Sequence, residues 1–280
     1  MDRFVLISNQ IKDHELKEAG LIKDELLSIN KSALVDVLEM NDIAKNKDTL
    51  KAAQCIIALG GDGTMIRVAK DSMFSGTPII GVNMGNVGFL AEIELSNVHS
   101  ALKSLINDEY HIEERMLLEG ALVENDIPGE FRQAVNEVVI SRRGALQVVG
   151  YRVFVNGMYL NDFYGDGIIV STPTGSTGYN MSAGGPIVEP KASLIVLTPV
   201  CTHSVGSRSI MLSGSDVVEI MLLPSRGIKE PEVAAYFDGG ETTFLKSGDR
   251  VCIRRSSNVI KLCSLSDKSF LEVLHKKMTE

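Results

Sequence analysis

The residues best suited to chemistry stand at 60–64, GGDGT, where one carboxylate, Asp62, lies among three glycines. This segment follows a short apolar run and precedes a helical pattern. Glycines let the backbone approach phosphate oxygens closely, and a helix N-terminus presents N–H groups to an anion. The segment is therefore either a phosphate-handling loop with a built-in acid–base residue, or a tight turn in which Asp62 is the N-cap of the helix.

The common nucleotide-binding signatures do not fit this segment. No Gly-Lys-Ser/Thr follows it, which excludes a Walker A loop, and the G-x-G-x-x-G spacing of the dinucleotide fingerprint is absent. A phosphate site here would depend on backbone N–H groups and the helix N-terminus. From these residues alone, both interpretations of Asp62 stay open.

A second candidate surface is the segment 165–187, GDGIIVSTPTGSTGYNMSAGGPI, in which hydroxyls and glycines follow an apolar strand pattern. Its dense set of hydroxyls predicts a surface of hydrogen-bond donors for phosphates and ribose hydroxyls. The alternative is a polar surface loop. The hydroxyl residues are Ser171, Thr172, Thr174, Ser176 and Thr177.

A third candidate is the segment 136–140, NEVVI, which places an amide and a carboxylate side by side at the start of an apolar strand. Such a pair either binds a ligand or forms an ordinary strand edge. For Asn136 alone, the strand-edge interpretation is favoured.

Composition and charge limit the classes of function. The chain of 280 residues is 44% hydrophobic and 23% charged, which is the balance of a soluble globular protein of one or two domains. Its net charge of −8 disfavours a general nucleic-acid binder, which needs a cationic face. No apolar run reaches the roughly 18 residues of a membrane span, and the N-terminus MDRFVLISN is too short and too polar for a signal peptide.

The four cysteines, Cys55, Cys201, Cys252 and Cys263, have no metal-binding or redox spacing. Each stands in an apolar, strand-like run. They are predicted to be reduced core residues of a cytoplasmic protein.

The first hundred residues alternate between strand and helix patterns. Strands are predicted over 3–8, 33–38, 54–59 and 78–83, and helices over 15–30, 64–74 and 95–105. Continuous apolar strands that alternate with helices predict a parallel sheet covered by helices.

The remainder is β-rich and predicted to be mostly antiparallel. Asn156-Gly157 between YRVFV and MYLNDF is a strong hairpin signal. Further strands are predicted over 134–140, 167–171, 194–198, 217–223, 233–237 and 250–254, and a final helix over 269–277 is expected to pack back on the first domain. The predicted domains are 1–105 with roughly 262–280, and 106–261.

Five segments together resemble the NAD kinase family, whose relatives include the diacylglycerol and sphingosine lipid kinases. They occur in the family's order: GGDGT at 60–64, GVNMGNVGFL at 81–90, NEVVI at 136–140, the long segment at 165–187, and PVCTHS at 199–204. GGDGT is shared with the lipid kinases, whereas the long segment is specific to NAD kinases. The chain departs from the family at Gly178, where Ala is usual, and at Gly240, where many members carry Gln.

The resemblance implies a Rossmann-like first domain and a definite reaction. The terminal phosphoryl group of ATP would pass, with Mg²⁺, to the 2′-hydroxyl of the adenosine ribose of NAD, giving NADP. Asp62 would be the general base or orienting group for that hydroxyl. The phosphate cradle would be formed by Gly61, Gly63 and Thr64, with Arg67 either reaching the phosphates or facing solvent. The resemblance does not identify protein ligands for the metal.

The resemblance also assigns the residues that bind NAD. Besides Asp62 and Gly63, Asn136 and Glu137 would hydrogen bond to base and ribose, and Asp166 would add a polar contact. The dinucleotide pocket would be lined by Thr177, Gly178, Tyr179, Asn180 and Ser182. Two further candidates are Gln147 and His203, of which His203 has a structural role as its alternative.

Two other functions stay open at this stage. One is a lipid kinase of the diacylglycerol type, which would need a basic or amphipathic membrane-facing element that the sequence lacks. The other is a sensor that binds NAD or NADP without catalysis. The expected partners are small molecules, neither nucleic acid nor membrane, and the resemblance implies a homodimer or homotetramer formed through the β-rich domain.

Overall fold

The computed structural model of the chain describes residues 1–85, 88–144, 147–202, 207–224, 230–265 and 270–279. The chain forms two compact units, one of Met1–Arg115 with Val259–Glu280 and the other of Met116–Asn258. The domain boundaries predicted from the sequence, at residue 105 and about residue 262, stay predictions.

The strands are β1 (Arg3–Ser8), β2 (Leu34–Glu39), β3 (Cys55–Leu59), β4 (Ile79–Asn83), β5 (Ile93–Glu94), β6 (His111–Glu124), β7 (Ile127–Pro128), β8 (Arg132–Ala134), β9 (Glu137–Arg143), β10 (Val149–Val155), β11 (Met158–Gly165), β12 (Gly167–Ser171), β13 (Leu194–Val200), β14 (Ile210–Ser213), β15 (Val218–Leu222), β16 (Glu232–Phe237), β17 (Glu241–Leu245) and β18 (Arg250–Ser264). The α-helices are α1 (Lys17–Ile29), α2 (Lys47–Ala52), α3 (Asp62–Ser72), α4 (Val98–Ile106), α5 (Tyr179–Ser182) and α6 (Phe270–Thr279).

The first unit contains the parallel sheet that the sequence predicts. Its strands lie in the order β2, β1, β3, β4, and each neighbouring pair is parallel. All residues of β3 and β4 are buried, which explains why these strands appear in the sequence as continuous apolar runs. The GGDGT segment follows directly from the carboxyl end of β3, so it lies at the carboxyl ends of the parallel strands.

The C-terminal helix α6 belongs to the first unit, and the prediction that the tail returns to it is confirmed. The Phe270 ring lies 6.1 Å from the Phe89 ring, measured between centroids. Lys276 Nζ lies 3.6 Å from a carboxylate oxygen of Glu94.

The second unit is β-rich and mostly antiparallel, as predicted. One sheet has the order β14, β13, β12, β9, β16, β17, and β11, β10, β15 and β18 pair in a second antiparallel arrangement. One cluster of buried apolar side chains includes Tyr151 and Val153 of β10 together with Ile168 and Val170 of β12. Such a core fixes the register of the strands that carry the candidate site.

The predicted hairpin at Asn156-Gly157 is confirmed, since β10 and β11 are antiparallel on either side of it. Both turn residues have positive φ, 51° and 77°, as a tight hairpin turn requires. The sequence prediction missed five strands: β6, β14 and β17, and the two-residue strands β5 and β7. Strand β6 begins with the charged run HIEER, which masks the strand pattern.

Three of the four cysteines are buried free thiols, as predicted. The prediction was wrong for Cys201, which is exposed. This residue comes directly after β13 and has φ 47°, so the chain turns there and carries the side chain out of the core.

In the described ranges, no helix is both long and apolar enough to cross a membrane.

Candidate functional site

The GGDGT segment in the first unit is a sharp strand-to-helix turn. The backbone N–H of Gly60 donates to Val82 O at 2.9 Å, which ties the turn to β4. Gly60 has φ 154°, and a Cβ there would lie 2.3 Å from Thr64 Oγ1, so only glycine fits. The buried Thr64 side chain therefore packs directly against Gly60.

Asp62 is not the N-cap of α3, and that interpretation of the sequence was wrong. The N-cap residue is Gly61, and Asp62 is the first residue of the helix. Its carboxylate instead contacts the loop between β4 and β5. There, Oδ2 accepts the N–H of Phe89 at 2.8 Å, and Oδ1 accepts that of Leu90 at 3.0 Å. The carboxylate is thus held in one position by two backbone donors.

Gly88 makes this contact possible. A Cβ at Gly88 would lie 1.9 Å from Asp62 Oδ1, so any side chain there would displace the carboxylate. The sequence prediction included the segment 81–90 only as part of the resemblance and did not foresee this role. Two of its residues, 86 and 87, lie outside the described part of the chain.

Gly61 and Gly63 differ from Gly60 and Gly88, because a Cβ at either position would meet no atom of the chain within 4 Å. Packing within the protein therefore does not require glycine at these two positions. The first N–H groups of α3 have no intrahelical acceptor, as in any α-helix. Open space above helix-terminal N–H groups is the arrangement that binds phosphates.

Arg67 lies one turn into α3 with a half-exposed side chain. Its guanidinium donates to Asn41 Oδ1 at 2.7 Å and lies 3.5 Å from an Asp71 carboxylate oxygen. In this structure Arg67 contacts protein groups on the exposed face of the helix, and its predicted phosphate contact stays a prediction.

The second candidate region is the Asn136–Glu137 pair at the start of β9 in the second unit. On one side, the Asp238 carboxylate accepts the N–H groups of Val135 and Asn136, each at 2.8 Å, and that of Glu137 at 3.2 Å. The Asp238 N–H in turn donates to Glu137 O at 3.1 Å. The backbone of 135–137 is therefore anchored to the turn between β16 and β17.

The long loop after β12 holds the same backbone from the other side. Thr172 N–H donates to Asn136 O at 2.8 Å, and the Thr172 hydroxyl donates to Val135 O at 2.7 Å. Gly175 packs so closely that a Cβ there would lie 2.2 Å from Asn136 O. The pair is fixed by contacts from two distant parts of the chain.

The side chains of this pair each carry a buried polar atom that lacks a partner. Within the described residues, neither Asn136 Oδ1 nor Glu137 Oε2 has a hydrogen-bond partner. A buried polar atom without a partner is costly, and a ligand group would satisfy it. These atoms identify the pair as a candidate binding group rather than an ordinary strand edge.

The carboxyl of Glu137 is in an environment that disfavours its charge. Burial, followed by the nearby Asp238 carboxylate, raises the pKa of Glu137 to about 7, against an ordinary 4.5, while the Tyr179 backbone N–H opposes this shift. At neutral pH this side chain is therefore protonated in a large fraction of molecules and can donate a hydrogen bond.

The donor surface predicted for the long loop is wrong for most of its hydroxyls. Ser171, Thr172, Thr174 and Ser176 are buried. Their hydroxyls hold the loop together where partners are described: Ser171 donates to Thr172 O at 2.9 Å, and Ser176 exchanges hydrogen bonds with the backbone of Val188. The sequence pattern could not distinguish hydroxyls that face a ligand from hydroxyls that fold a loop.

Asn180 also holds the loop. It is fully buried, its amide nitrogen donates to Ser176 O and Pro186 O, and its amide oxygen accepts the Thr198 hydroxyl at 2.7 Å. All of these partners lie within the protein.

Four of the predicted pocket residues in this loop are not buried: Thr177 and Gly178 are partly exposed, and Tyr179 and Ser182 are exposed. Tyr179 is 45% exposed and presents its ring at the surface. The Thr177 hydroxyl donates to Thr174 O at 3.3 Å. A Cβ at Gly178 would lie 3.1 Å from Glu137 Oε2, so this glycine leaves space beside the unpaired oxygen.

Asp166 lies in the same unit and forms an ion pair with Arg142, at 2.8 Å between Oδ1 and Nε. The partly exposed Asp166 carboxylate raises the pKa of Arg142 through this hydrogen bond. The backbone O of Asp166 also accepts the buried Tyr151 hydroxyl at 3.1 Å.

Two further sequence candidates are less informative. Gln147 is half-buried between β9 and β10. His203 lies outside the described residues.

Sequence reasoning missed two residues that shape these regions, Gly88 and Asp238. The only local signal for Asp238 is the Asp-Gly turn at 238–239, which predicts a hairpin and not a contact with residue 136.

Family models and relatives of known name match almost the whole chain. A family model described as the ATP-NAD kinase N-terminal domain matches residues 7–110, and one described as the ATP-NAD kinase C-terminal domain matches residues 135–265. The NAD kinase of Agathobacter rectalis is 41% identical over 99% of both chains, and that of Lachnoclostridium phytofermentans is 38% identical over 99% of both. The chain belongs to the NAD kinase family.

Solved structures of low sequence identity share the fold. A yeast NADH kinase complexed with NADH superposes with a TM-score of 0.86 at 18% identity, covering 100% of this chain and 88% of the yeast chain. An NAD kinase from Archaeoglobus fulgidus in complex with ATP superposes with a TM-score of 0.77 at 23% identity, covering 99% of this chain and 98% of the other. The predicted NAD kinase fold, an α/β unit and a mostly antiparallel β unit, is confirmed.

Proposed function

We propose that this protein is an NAD kinase that transfers the terminal phosphoryl group of ATP to the 2′-hydroxyl of the adenosine ribose of NAD. The 2′-oxygen attacks the γ-phosphorus, the bond to the bridging oxygen breaks, and ADP and NADP leave. The hydroxyl proton passes to Asp62. The observation that carries this proposal is the Asp62 carboxylate, held by two backbone N–H groups beside two glycines whose Cα atoms face open space.

Asp62 suits the role of base or orienting group because two backbone hydrogen bonds hold its carboxylate in one position. Reaction geometry demands a fixed group within hydrogen-bond reach of the proton it accepts, and such a base typically contributes about 10²–10⁴-fold in rate. Each carboxylate oxygen accepts one backbone N–H, which leaves lone pairs for a hydroxyl proton. Gly61, Gly63 and Thr64 shape the phosphate cradle, and Arg67 is the candidate cation there.

The dinucleotide is assigned to the second candidate region. Asn136 Oδ1 and the Glu137 carboxyl are polar groups in need of a partner, and base and ribose hydroxyls can provide one. The exposed Tyr179 ring offers an aromatic face for a base. Asp166 adds a polar contact, and the remaining pocket residues are Thr177, Gly178, Asn180 and Ser182, with Asn180 acting through the shape of the loop.

Mg²⁺ is proposed as part of the substrate, MgATP. Among the residues that the structure describes, no three His, Cys, Asp or Glu side chains come together as a metal site. A Mg²⁺ ion held mainly by the protein therefore does not fit these residues. Mg²⁺ commonly keeps several waters and binds substrate phosphates, whose charge it neutralises during phosphoryl transfer.

Self-association through the β-rich unit is part of the proposal. The two edge strands of its six-stranded sheet are β14 and β17, and they expose Met211 (62%) and Phe244 (65%). Open edges that carry apolar side chains favour pairing with a second copy. Light scattering coupled to size exclusion is expected to show a dimer or tetramer. The free buried thiols also support a reducing, cytoplasmic location.

The deciding assay follows NADP formation by the purified protein from NAD and MgATP. NADP that accumulates in proportion to enzyme and time would support the proposal. A parallel reaction with diacylglycerol in place of NAD tests the lipid kinase alternative, and its product would overturn the assignment of NAD as acceptor. Binding of NAD without any NADP would favour the sensor instead.

A further inference from the structure

The turn between β16 and β17 makes an unusual set of contacts with the start of β9. One carboxylate, Asp238, accepts three consecutive backbone N–H groups, at 2.8, 2.8 and 3.2 Å, and the Asp238 N–H donates back to Glu137 O. Residues 135 and 136 lie between β8 and β9, outside both strands. Asp238 therefore provides the acceptors that a neighbouring strand would otherwise provide.

The backbone of Asp238 is bent to make these contacts. Its φ is 51°, in the left-handed region, and Gly239 follows with φ 68°. Aspartate tolerates this region better than most residues, and a backbone outlier of this kind costs free energy that other contacts must offset. The four hydrogen bonds to 135–137 provide that compensation.

The stretch that Asp238 anchors carries the unpaired atoms of the candidate dinucleotide site. Asn136 Oδ1 and Glu137 Oε2 both belong to residues whose N–H groups donate to Asp238. If those N–H groups lost their acceptor, the backbone would shift to satisfy them, and both side-chain atoms would move with it. Asp238 itself is occupied by backbone donors.

We propose that Asp238 is a positioning residue for the dinucleotide: it fixes the place of the Asn136 and Glu137 side chains without contacting the substrate. This inference rests on the proposed function, since it takes Asn136 and Glu137 as ligands of NAD.

The pKa of Glu137 can distinguish a positioning role of Asp238 from simple structural support. Among the described residues, the Asp238 carboxylate, the Tyr179 backbone N–H and Gly178 lie near the Glu137 carboxyl. Burial is the first cause of the raised pKa of Glu137, and the Asp238 carboxylate is the second. Removing the charge of Asp238 should lower the pKa of Glu137 even if the fold is unchanged.

The experiment compares Asp238→Asn and Asp238→Ala with the wild type. Asp249→Asn is the matched control, because Asp249 also accepts a backbone N–H in a turn of this unit, between β17 and β18, from Lys246 at 2.7 Å. Steady-state kinetics give KM for NAD and for MgATP. Carbon-13 NMR of glutamate-labelled protein gives the titration midpoint of Glu137, assigned with Glu137→Gln.

We expect KM for NAD to rise about tenfold or more in Asp238→Ala, because buried donors lose their acceptor, and to rise less in Asp238→Asn, which keeps one acceptor oxygen. KM for MgATP should change little. The Glu137 midpoint should fall below the wild-type value in Asp238→Asn and stay unchanged in Asp249→Asn.

Equal changes in both KM values, or an unchanged Glu137 midpoint in a folded Asp238→Asn, would overturn the proposal. If Asp238→Ala does not fold, Asp238→Asn decides. If the wild type makes no NADP, the proposed function is wrong, but this result does not decide the role of Asp238. NAD binding by calorimetry and the NMR midpoint then still test Asp238.

Discussion

Two carboxyl groups in this protein lie in opposite surroundings. Asp62, at the start of α3, is half-buried and accepts a backbone N–H at each oxygen. Glu137, at the start of β9, is buried, has one oxygen without a partner among the described residues, and lies near another carboxylate. Hydrogen bonds hold the Asp62 carboxylate in one position, whereas the surroundings of Glu137 favour the neutral form of its carboxyl.

The difference shows that environment, not residue type, assigns the chemistry of a carboxyl group. Backbone N–H donors fix the position of a carboxylate beside a reacting group, whereas burial beside a like charge favours a protonated carboxyl that donates a hydrogen bond. A kinase for a hydroxyl acceptor needs the first kind at the reacting oxygen. The second kind is suited to binding, where a neutral donor recognises a hydroxyl or a base.

The largest effect is expected for Asp62→Asn. The amide cannot accept the hydroxyl proton, so kcat should fall by about 10²–10⁴-fold. The measurement is NADP formation at saturating NAD and MgATP. Because asparagine would also turn an NH₂ group toward one of two backbone donors, circular dichroism must show that the variant is folded.

Asp71→Asn is the matched control for this variant. Asp71 lies on the same helix and contacts Arg67 at the surface. Its kcat should stay near that of the wild type. A folded Asp62→Asn variant with near-normal kcat would show that Asp62 is not the general base.

The next largest effect is expected for Gly88→Ala. Its methyl group would lie 1.9 Å from Asp62 Oδ1, so the carboxylate must move. A misplacement of about 1 Å at a reacting group can cost about 10²-fold in rate. We expect kcat to fall toward that extent while KM for NAD changes less. Gly85→Ala on the same loop should have no such effect, because its Cβ would meet nothing within 4 Å.

Glu137→Gln should change how stability depends on pH. The folded-state pKa of Glu137, about 7, lies above the ordinary 4.5, so its favourable contribution is complete below pH 4.5 and is lost as pH rises through 7. A shift of this size corresponds to about 3 kcal/mol at most. Glutamine, which stays neutral, should remove this loss, and the variant should gain stability over wild type at pH 8 but not at pH 4.

Chemical denaturation at several pH values measures this prediction, with the exposed Glu189→Gln as control. Parallel pH profiles for the wild type and Glu137→Gln would contradict the raised pKa.

The smallest effect is expected for Gly178→Ala. The added methyl would lie 3.1 Å from Glu137 Oε2 and 3.2 Å from Asn136 Nδ2, so these groups must shift by a few tenths of an ångström. We expect KM for NAD to rise by up to about tenfold, the lower end of the range for one extra methyl group in a pocket, with KM for MgATP unchanged. A change in KM for MgATP alone would contradict the assignment of Gly178 to the dinucleotide pocket.

Much of the fold could be predicted from local patterns. Strands β1, β3 and β4 of the parallel sheet appear as nearly continuous apolar runs because they are buried on both faces. The hairpin at Asn156-Gly157 could be predicted because positive φ at two successive residues is a local demand. Strand β6 escaped prediction because its charged beginning has no period of two.

The candidate site was only partly predictable. Asp62, Asn136 and Glu137 could be singled out, since their residue types and neighbours are local facts. The partners that give them their properties are remote in sequence: Phe89 lies 27 residues from Asp62, and Asp238 lies 102 residues from Asn136. The hydroxyls of the long loop show the same limit, because burial depends on what packs against them.

The sequence by itself determined which residues could do chemistry and which family they resemble, because motifs and apolar periods are properties of short stretches of chain. Only the tertiary structure decided that Asp62 bonds to a neighbouring loop instead of capping its helix. It also decided that Glu137 lies near Asp238 and that most of the loop hydroxyls are buried. The reason is physical: hydrogen-bond partners, burial and like-charge neighbours depend on distances in space, which no local pattern records.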